Sequence, residues 1–396
     1  APTGVGKTIA TIYPSIMALG TGDADKIFYL TGKTVTRVVA RDTFLLLKQS
    51  GYRGKTVEIT AKDKICPLNE RACNPKDCPY ALGHFDRIND AVYDLLMQED
   101  MLSREVIFDW SQKRMVCPFE LSLDLASWCD HIICDYNYVF HPNVYLKRFF
   151  AEGNPGNYIF LMDEAHNLID RGRDMYSQNL KKEDFLHIKK YFKTYHGEIL
   201  KALDACNKIM LEWKKNCEGK LILTEMDSFL FALLRLANLF EKFFETRVEI
   251  EGMDEIRDFY FNIRNFIRLS EGLDEHYVLY CDFNASGEFI LHMFCVDPSV
   301  LLQQRLDRAI AAVFFSATLL PMGYYKSLLC TTKKPYALYA DSPFDSRKRK
   351  ILIGKDVTSL YTQRSFTMYL RYAQYIHEIT SVKKGNYMIF FPSYEF

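Results

Sequence analysis

Residues 1–8 read APTGVGKT, which is a phosphate-binding P-loop pattern with alanine in place of its first glycine. The two glycines permit tight turns that point backbone N–H groups at a phosphate, and the following helix directs its positive N-terminus at the same anion. Lys7 should reach the β- and γ-phosphates of a nucleotide, and Thr8 should bind Mg²⁺. The alternative is a glycine-rich turn before a helix. The nucleotide-binding candidates are Ala1, Gly4, Val5, Gly6, Lys7 and Thr8.

A pair of carboxylates follows an apolar run later in the chain. Residues 158–162 (YIFLM) predict a buried strand, and the sequence DEAH, which contains Asp163, Glu164 and His166, comes directly after it. Parallel sheets bind ligands at the carboxyl ends of their strands, so Asp163 can hold Mg²⁺ and Glu164 can orient or deprotonate an attacking water. The alternative is a solvated acidic start of a helix, which the P-loop in the same chain disfavours.

A third short motif, Ser316-Ala317-Thr318, follows the apolar residues 311–315. The tripeptide means nothing by itself. The order of P-loop, DEAH and SAT, each at the end of a strand, is the layout of a superfamily-2 helicase motor. Asp163 therefore joins the nucleotide-binding candidates. The catalytic candidates are Lys7, Thr8, Asp163, Glu164, His166, Ser316 and Thr318.

Strand-like and helix-like segments alternate along the first 60 residues. Residues 8–19 predict a helix that ends at Gly20, and residues 34–50 predict a second helix. This βα alternation predicts an α/β fold with a parallel sheet and crossover helices. Residues 61–118 break the pattern, and residues 178–275 read almost entirely as amphipathic helix. The predicted strands are 26–31, 56–60, 131–140, 157–163, 276–283, 288–296 and 311–316.

Length and charge restrict the possible functions only weakly. The chain has 396 residues, which predicts two to four domains. Lys and Arg total 50, as do Asp and Glu, so net charge does not indicate nucleic-acid binding and any DNA contact requires local patches. The apolar run at 309–315 has seven residues, far below the roughly 20 of a membrane span. We therefore expect no membrane partner.

Four of the eleven cysteines have a spacing that suggests metal binding. Cys66, Cys73, Cys78 and Cys117 are spaced C-x6-C-x4-C-x38-C. Thiolates are soft ligands for zinc or iron–sulfur clusters, and the wide last gap fits a structural zinc site poorly. Spacing alone leaves a cluster, a zinc site and free thiols open. The other seven cysteines lie in apolar or helical sequence and are interpreted as small core residues.

The chain resembles the XPD/DinG-like helicases over nearly its whole length. Residues 28–34 (FYLTGKT) resemble the family's DNA-contacting motif, and residues 134–138 (CDYNY) resemble the segment that precedes DEAH. Residues 342–344 (SPF) resemble the entry to the second motor domain. Residues 389–394 (IFFPSY) resemble the first strand motif of that domain.

The resemblance implies two RecA-like motor domains, the first of which carries two insertions. The first insertion would be a domain in which Cys66, Cys73, Cys78 and Cys117 hold a [4Fe–4S] cluster. The second would be a helical arch. The implied boundaries are 1–60 with 119–177 and 276–340 for motor domain 1, 61–118 for the iron–sulfur domain, 178–275 for the arch and 341–396 for the start of motor domain 2.

The implied function is that of an ATP- and Mg²⁺-dependent DNA helicase that moves 5′ to 3′ on single-stranded DNA, in DNA repair or replication. The implied DNA contacts are Thr31, Lys33, Tyr136 and Asn137. We expect a monomeric, cytoplasmic and bacterial motor that acts on single-stranded and forked DNA, with any nuclease partner unknown. The family's adenine-recognising segment and arginine-bearing motifs fall outside residues 1–396, so the chain as given should hydrolyse ATP poorly.

Two other functions stay open at this stage. The first is an ATP-using translocase that remodels nucleic acid without separating strands, since both activities share the motor motifs. The second is a non-enzymatic iron–sulfur binding module. The complete set of Lys7, Asp163 and Glu164 argues against that second alternative.

Overall fold

The computed structural model describes residues 1–70, 73–151, 156–193, 197–332, 335–393 and 396. It forms two compact units, Ala1–Asp341 and Ser342–Phe396. A six-stranded parallel sheet with the order β10-β5-β1-β4-β2-β3 is the centre of the first unit. Its strands are β1 (Lys26–Leu30), β2 (Thr56–Glu58), β3 (Met101–Leu102), β4 (His131–Cys134), β5 (Tyr158–Asp163) and β10 (Ala309–Phe315).

The central strands are buried on both faces, as expected for a parallel sheet covered by helices. In β1, Ile27 and Tyr29 pack on one face with Ile12, while Phe28 packs on the other among aromatic rings that include Phe160. Burying a side chain of this size contributes about 1.5–3 kcal/mol. Apolar runs of this kind explain why the predicted strands at 26–31, 157–163 and 311–316 are confirmed. The strand predicted at 131–140 is only partly correct, because it ends at Cys134 and residues 137–140 form a short helix.

The register of the sheet aligns the carboxyl ends of its strands. Leu30 of β1 lies opposite both Cys134 of β4 and Met162 of β5, and Phe315 of β10 lies opposite Asp163. The loops after these strands therefore emerge along one edge of the sheet. This edge receives the P-loop, DEAH and SAT motifs.

Helices surround the sheet and build the rest of the first unit. The helix after the P-loop continues through Gly20, and Gly22 ends it in the left-handed conformation (φ 80°) with its N–H directed at Ala18 and Leu19 carbonyls. The prediction that Gly20 ends this helix is therefore wrong. The helices here are α1 (Lys7–Thr21), α2 (Thr34–Gln49), α3 (Lys62–Ile65), α4 (His84–Gln98), α5 (Arg104–Arg114), α6 (Pro118–Trp128), α7 (Asn137–Phe140), α8 (Lys147–Phe150), α9 (Asn167–Met175), α14 (Ser299–Leu306) and α15 (Met322–Leu329).

The predicted iron–sulfur segment, residues 61–118, is partly built into the sheet core. Its strand β3 pairs with β2 in parallel, and Leu102, Ile107 and Val116 belong to the same hydrophobic core as the sheet. The second half of this segment thus shares the core of the first unit. The boundary at 61–118 stays a prediction.

A second, antiparallel sheet packs against the predicted arch helices. Its order is β6-β9-β8-β7, and its strands face a core rich in phenylalanine, including Phe229 and Phe240. The sheet crosses the predicted boundary at 275, because its outer strands precede that boundary and its inner strands follow it. The elements are β6 (Gln178–Lys181), α10 (Lys182–Tyr191), α11 (Gly197–Lys215), β7 (Lys220–Leu223), α12 (Asp227–Glu245), α13 (Met253–Ser270), β8 (Tyr277–Phe283) and β9 (Phe289–Cys295).

The second unit has one long helix, α16 (Phe366–Val382), and two 3-10 turns, Ser346–Lys348 and Tyr361–Gln363. The Ser365 hydroxyl caps α16 by accepting a hydrogen bond from the Met368 N–H at 3.2 Å. Residues 389–393, where the resemblance implies a strand, have no regular secondary structure, and Tyr394 lies outside the described residues. A strand needs a neighbour to satisfy its backbone groups, and the described part of this unit forms no sheet.

Across the described residues, every helix is too short or too polar to span a lipid bilayer.

Candidate ATP site

The P-loop forms a turn that presents a lysine beside its own carbonyl groups. Gly4 and Gly6 both have left-handed backbone angles (φ 82° and 81°), which a residue with a side chain adopts only at a cost. Gly6 precedes the first turn of α1 and its carbonyl accepts from the Ala10 N–H at 3.0 Å. The Lys7 ammonium donates to the carbonyls of Ala1 (3.3 Å) and Pro2 (3.2 Å). A phosphate would offer this cation a charged acceptor in place of neutral ones.

Asp163 is held in a fixed orientation at the end of β5. The Tyr29 hydroxyl donates to Asp163 Oδ2 at 2.6 Å, and the Glu164 N–H donates to Oδ1 at 2.8 Å. Burial raises the pKa of the Asp163 carboxyl, while the Tyr29 hydrogen bond and the Lys7 charge act in the opposite direction. The Thr8 side chain also lies near Tyr29 and opposes the rise that burial causes in the pKa of Tyr29. Tyr29 thus connects the two side chains predicted to bind Mg²⁺.

Sequence reasoning missed Tyr29. Its signal was a tyrosine inside the otherwise apolar strand at 26–31, since a buried tyrosine hydroxyl usually requires a hydrogen-bond partner.

The predicted Mg²⁺ ligands suit that ion in number and type. Mg²⁺ in nucleotide sites is usually bound by one or two protein oxygens together with phosphates and water. Thr8 and Asp163 can supply such oxygens.

Glu164, His166 and Ser316 form one hydrogen-bonded group. The Ser316 hydroxyl donates to Glu164 Oε2 at 3.1 Å and lies 2.7 Å from His166 Nδ1. A hydroxyl has one proton, so a Ser316 that donates to Glu164 accepts from His166. The Thr318 N–H also donates to Ser316 Oγ, at 3.2 Å. The structure therefore brings the DEAH and SAT candidates together, because the pairing of Phe315 with Asp163 sets their loops side by side.

Comparisons with known proteins agree with this geometry. The DEAD_2 family model matches residues 52–185. The ATP-dependent DNA helicase XPD of Sulfolobus acidocaldarius is 24% identical, and the match covers the whole of this chain and 68% of that protein. The ATP-dependent DNA helicase CHL1 of Candida albicans is 22% identical over 60% of this chain, which spans 35% of that protein's length.

Solved structures show the same fold. An XPD helicase superposes with a TM-score of 0.57 at 20% identity, covering the whole of this chain and 68% of that structure. The Xpd4 protein of S. tokodaii superposes with a TM-score of 0.51 at 15% identity, covering the whole of this chain and 66% of that structure. The chain is similar to the XPD/DinG-like helicases of superfamily 2.

The four residues that the family resemblance places against DNA differ in their exposure. Lys33 is exposed, and Asn137 is half-buried with its Oδ1 accepting from Arg171 Nη2 at 3.3 Å. Thr31 and Tyr136 are both fully buried. The Thr31 and Thr36 hydroxyls form a hydrogen bond with each other. We therefore correct the prediction of direct DNA contact for Thr31 and Tyr136, because neither side chain has accessible surface.

Tyr136 instead supports the candidate ATP site. Its hydroxyl donates to the backbone carbonyl of Asp163. Arg171, which sequence reasoning missed, connects the neighbouring residues to the helix after DEAH, since its Nη2 donates to Asp135 Oδ1 at 3.0 Å. An arginine eight residues after the first DEAH residue carries no recognisable signal in the sequence.

The four cysteines that the family resemblance assigns to a [4Fe–4S] cluster are not assembled as a metal site. Cys66, Cys78 and Cys117 are half-buried free thiols, and Cys73 is exposed. Within the described ranges, no group of three or more His, Cys, Asp or Glu side chains is placed to hold a metal ion. The donor types suit a cluster.

Two of these thiols nevertheless lie near one cation. Burial lowers the pKa of Lys62, but Cys73, Glu120 and Cys117 raise it, with a net rise. Cys117 directly precedes α6, where burial raises the pKa of its thiol and the first-turn N–H groups oppose that rise. Burial dominates, so the pKa of the Cys117 thiol is raised overall.

Proposed function

We propose that this chain is the ATP-hydrolysing part of a DNA helicase that moves 5′ to 3′ along single-stranded DNA and unwinds duplexes. The observation that carries the proposal is the meeting of the P-loop, DEAH and SAT residues at one edge of the parallel sheet. Similarity to the XPD/DinG-like helicases supports it. The polarity comes from the family resemblance.

The proposed division of labour follows the contacts. Lys7 binds the β- and γ-phosphates, while Thr8 and Asp163 hold Mg²⁺, which would neutralise charge on the phosphate oxygens. Glu164 orients the attacking water and accepts its proton. Its carboxylate is suited to this role because Ser316 fixes one of its oxygens at 3.1 Å. His166 supports Ser316 in turn.

DNA binding is proposed at the loops that follow β1 and β4. Lys33 is exposed there and offers a cation to a phosphate, and Asn137 offers an amide. The proposed substrates are single-stranded and forked DNA, in repair or replication. A monomeric state, a cytoplasmic location and a bacterial source also stay predictions.

A [4Fe–4S] cluster on Cys66, Cys73, Cys78 and Cys117 is also part of the proposal. Its support is the number of thiols, the Lys62 cation near Cys73 and Cys117, and the family resemblance. We assign no step of ATP hydrolysis to it.

The test is ATPase activity of the purified protein, expressed from its full reading frame, with and without single-stranded DNA. Lys7→Ala should abolish hydrolysis by removing phosphate binding. Glu164→Gln should retain nucleotide binding and stop hydrolysis, because it removes only the group that handles the water. The matched controls Lys147→Ala and Glu198→Gln change exposed residues in α8 and α11 and should hydrolyse ATP normally.

Strand separation is measured on forked duplexes with a 5′ or a 3′ tail. Unwinding that requires a 5′ tail supports the proposal. DNA-stimulated hydrolysis without unwinding would identify a translocase instead, and loss of all hydrolysis in the unmodified protein would leave a binding module.

A further inference from the structure

Tyr136 lies between the proposed DNA-binding loops and the ATP site. Its hydroxyl donates to the carbonyl of Asp163, and its ring lies under Gly32, next to the exposed Lys33. A Cβ atom at Gly32 would approach Tyr136 Cε2 to 3.3 Å, which shows how closely backbone and ring pack. Tyr136 is fully buried, so its ring has little room to move independently of its neighbours. A movement of the turn at Gly32 and Lys33 should therefore move the Tyr136 ring.

Arg171 forms a second connection between the same two regions. It lies on α9, the helix that follows DEAH directly. Its Nη2 donates to Asp135 Oδ1 at 3.0 Å and lies 3.3 Å from Asn137 Oδ1. The same Asp135 oxygen accepts from the Asn137 N–H at 2.9 Å. The planar guanidinium therefore fixes the loop 135–137 to the helix that carries the ATP-site motif.

We infer that Tyr136 and Arg171 are positioning residues that couple DNA binding at the loops 31–33 and 135–137 to the orientation of Asp163 and Glu164. This inference rests on the proposed function, because it explains how a bound strand accelerates hydrolysis. Tyr136 acts on the backbone of Asp163, and Arg171 acts on the helix that begins just after Glu164. Neither touches the nucleotide.

The coupling has a physical reason in the sheet. β4 and β5 are both neighbours of β1, one on each side, so the loops after β1 and β4 lie beside the end of β5. A DNA strand that orders Lys33 and Asn137 would also order Tyr136, which donates to the Asp163 carbonyl, and Arg171, which lies on the helix after DEAH. Arg171 Nε is buried and lacks a hydrogen-bond acceptor among the described residues. This nitrogen is therefore available as a donor when the loop 135–137 rearranges.

The test compares Arg171→Lys and Tyr136→Phe with the unmodified protein. Arg171→Lys keeps the charge and loses the planar fork, while Tyr136→Phe keeps the ring and loses the bond to Asp163. Three quantities are measured: the ATPase rate without DNA, the rate at saturating single-stranded DNA, and DNA affinity by fluorescence anisotropy. We expect the ratio of stimulated to unstimulated rate to fall at least fivefold in each variant, with a smaller change in DNA affinity.

The matched control is Arg173→Lys on the same helix. Arg173 donates to the Val296 carbonyl at 2.9 Å and pairs with Asp170, so it contacts neither loop. The ratio of stimulated to unstimulated ATPase rate in Arg173→Lys should stay within twofold of that in the unmodified protein. Both rates falling in proportion, or an unchanged ratio, would overturn the inference. If DNA fails to stimulate the unmodified protein, the proposed function itself fails, which is a different result.

Discussion

Replacing Ser316 by alanine should slow ATP hydrolysis without preventing ATP binding. Ser316 is buried, and its hydroxyl donates to Glu164 Oε2 at 3.1 Å while lying 2.7 Å from His166 Nδ1. The substitution removes one oxygen and leaves the P-loop intact. Glu164 then loses the donor that fixes the carboxylate toward the attacking water.

The size of the effect follows from the kind of bond. A hydrogen bond to a charged group contributes about 1.5–3 kcal/mol. If that energy serves the transition state, kcat falls by roughly 10- to 150-fold, since about 1.4 kcal/mol corresponds to a factor of ten. Ser316→Thr keeps the hydroxyl and should retain most of the rate.

The assay is single-turnover hydrolysis at saturating ATP and DNA, with nucleotide affinity measured separately by a fluorescent ATP analogue. Ser122→Ala is the matched control, because that buried serine donates only to the Phe119 carbonyl within α6. A Ser316→Ala protein with an unchanged kcat, or one that loses nucleotide affinity and rate together, would refute the assigned role of this hydroxyl.

Three further predictions address the fold and the cysteines. Burial lowers the pKa of His131 to about 4, while an unfolded histidine titrates near 6.5, so the unfolded state binds more protons between these values and the free energy of unfolding should fall by up to roughly 3 kcal/mol from pH 6.5 to pH 4. Urea unfolding of wild type and His131→Gln across this pH range measures the difference, and an equal dependence of stability on pH in both proteins would contradict the prediction. Cys117→Ser should remove iron and brown absorbance from anaerobically purified protein, whereas Cys129→Ala should not; stoichiometric zinc without iron would overturn the cluster proposal. Gly6→Ala, at a left-handed position, should weaken ATP binding about 5- to 30-fold, from a strain of about 1–2 kcal/mol. Gly20→Ala, inside α1 with open space beside it, should instead raise thermal stability by about 0.5–1 kcal/mol. Tighter ATP binding by Gly6→Ala in isothermal titration, or a lower melting temperature for Gly20→Ala, would contradict these roles.

The sequence predicts the central sheet well because its strands are long apolar runs. β1, β4 and β5 are buried on both faces, and their apolar composition predicts that burial. β10 is apolar too, but it lies at the edge of the sheet and most of its residues are exposed. The two-residue strand β3 and the polar strand β6 lack such a pattern. They form because neighbouring strands offer unpaired backbone groups, and single-sequence periodicity does not contain that information.

In the candidate site, too, some residues were predictable from the sequence and others were not. Lys7, Asp163 and Ser316 were predictable, since chemistry at a phosphate requires these residue types at strand ends. Tyr29 and Arg171 were not, because their roles depend on which strands become neighbours. Exposure was also unpredictable: Tyr136 reads as a DNA-stacking aromatic in the sequence, and only the packing under Gly32 shows that it is internal.

The position of β5 between β1 and β10 separates the two acidic roles of the DEAH motif. Asp163 is held by Tyr29, which comes from β1, and Glu164 is held by Ser316, which follows β10. Asp163, the last residue of β5, and Glu164, which follows it, are therefore supported from the two strands that flank β5, and Glu164 itself has a left-handed backbone (φ 52°). Metal binding and water activation can then respond to different neighbours: the β1 side also carries the turn with Lys33, whereas the β10 side carries the SAT loop. A DNA signal that arrives through β1 should therefore act first on Asp163, the residue proposed to bind Mg²⁺.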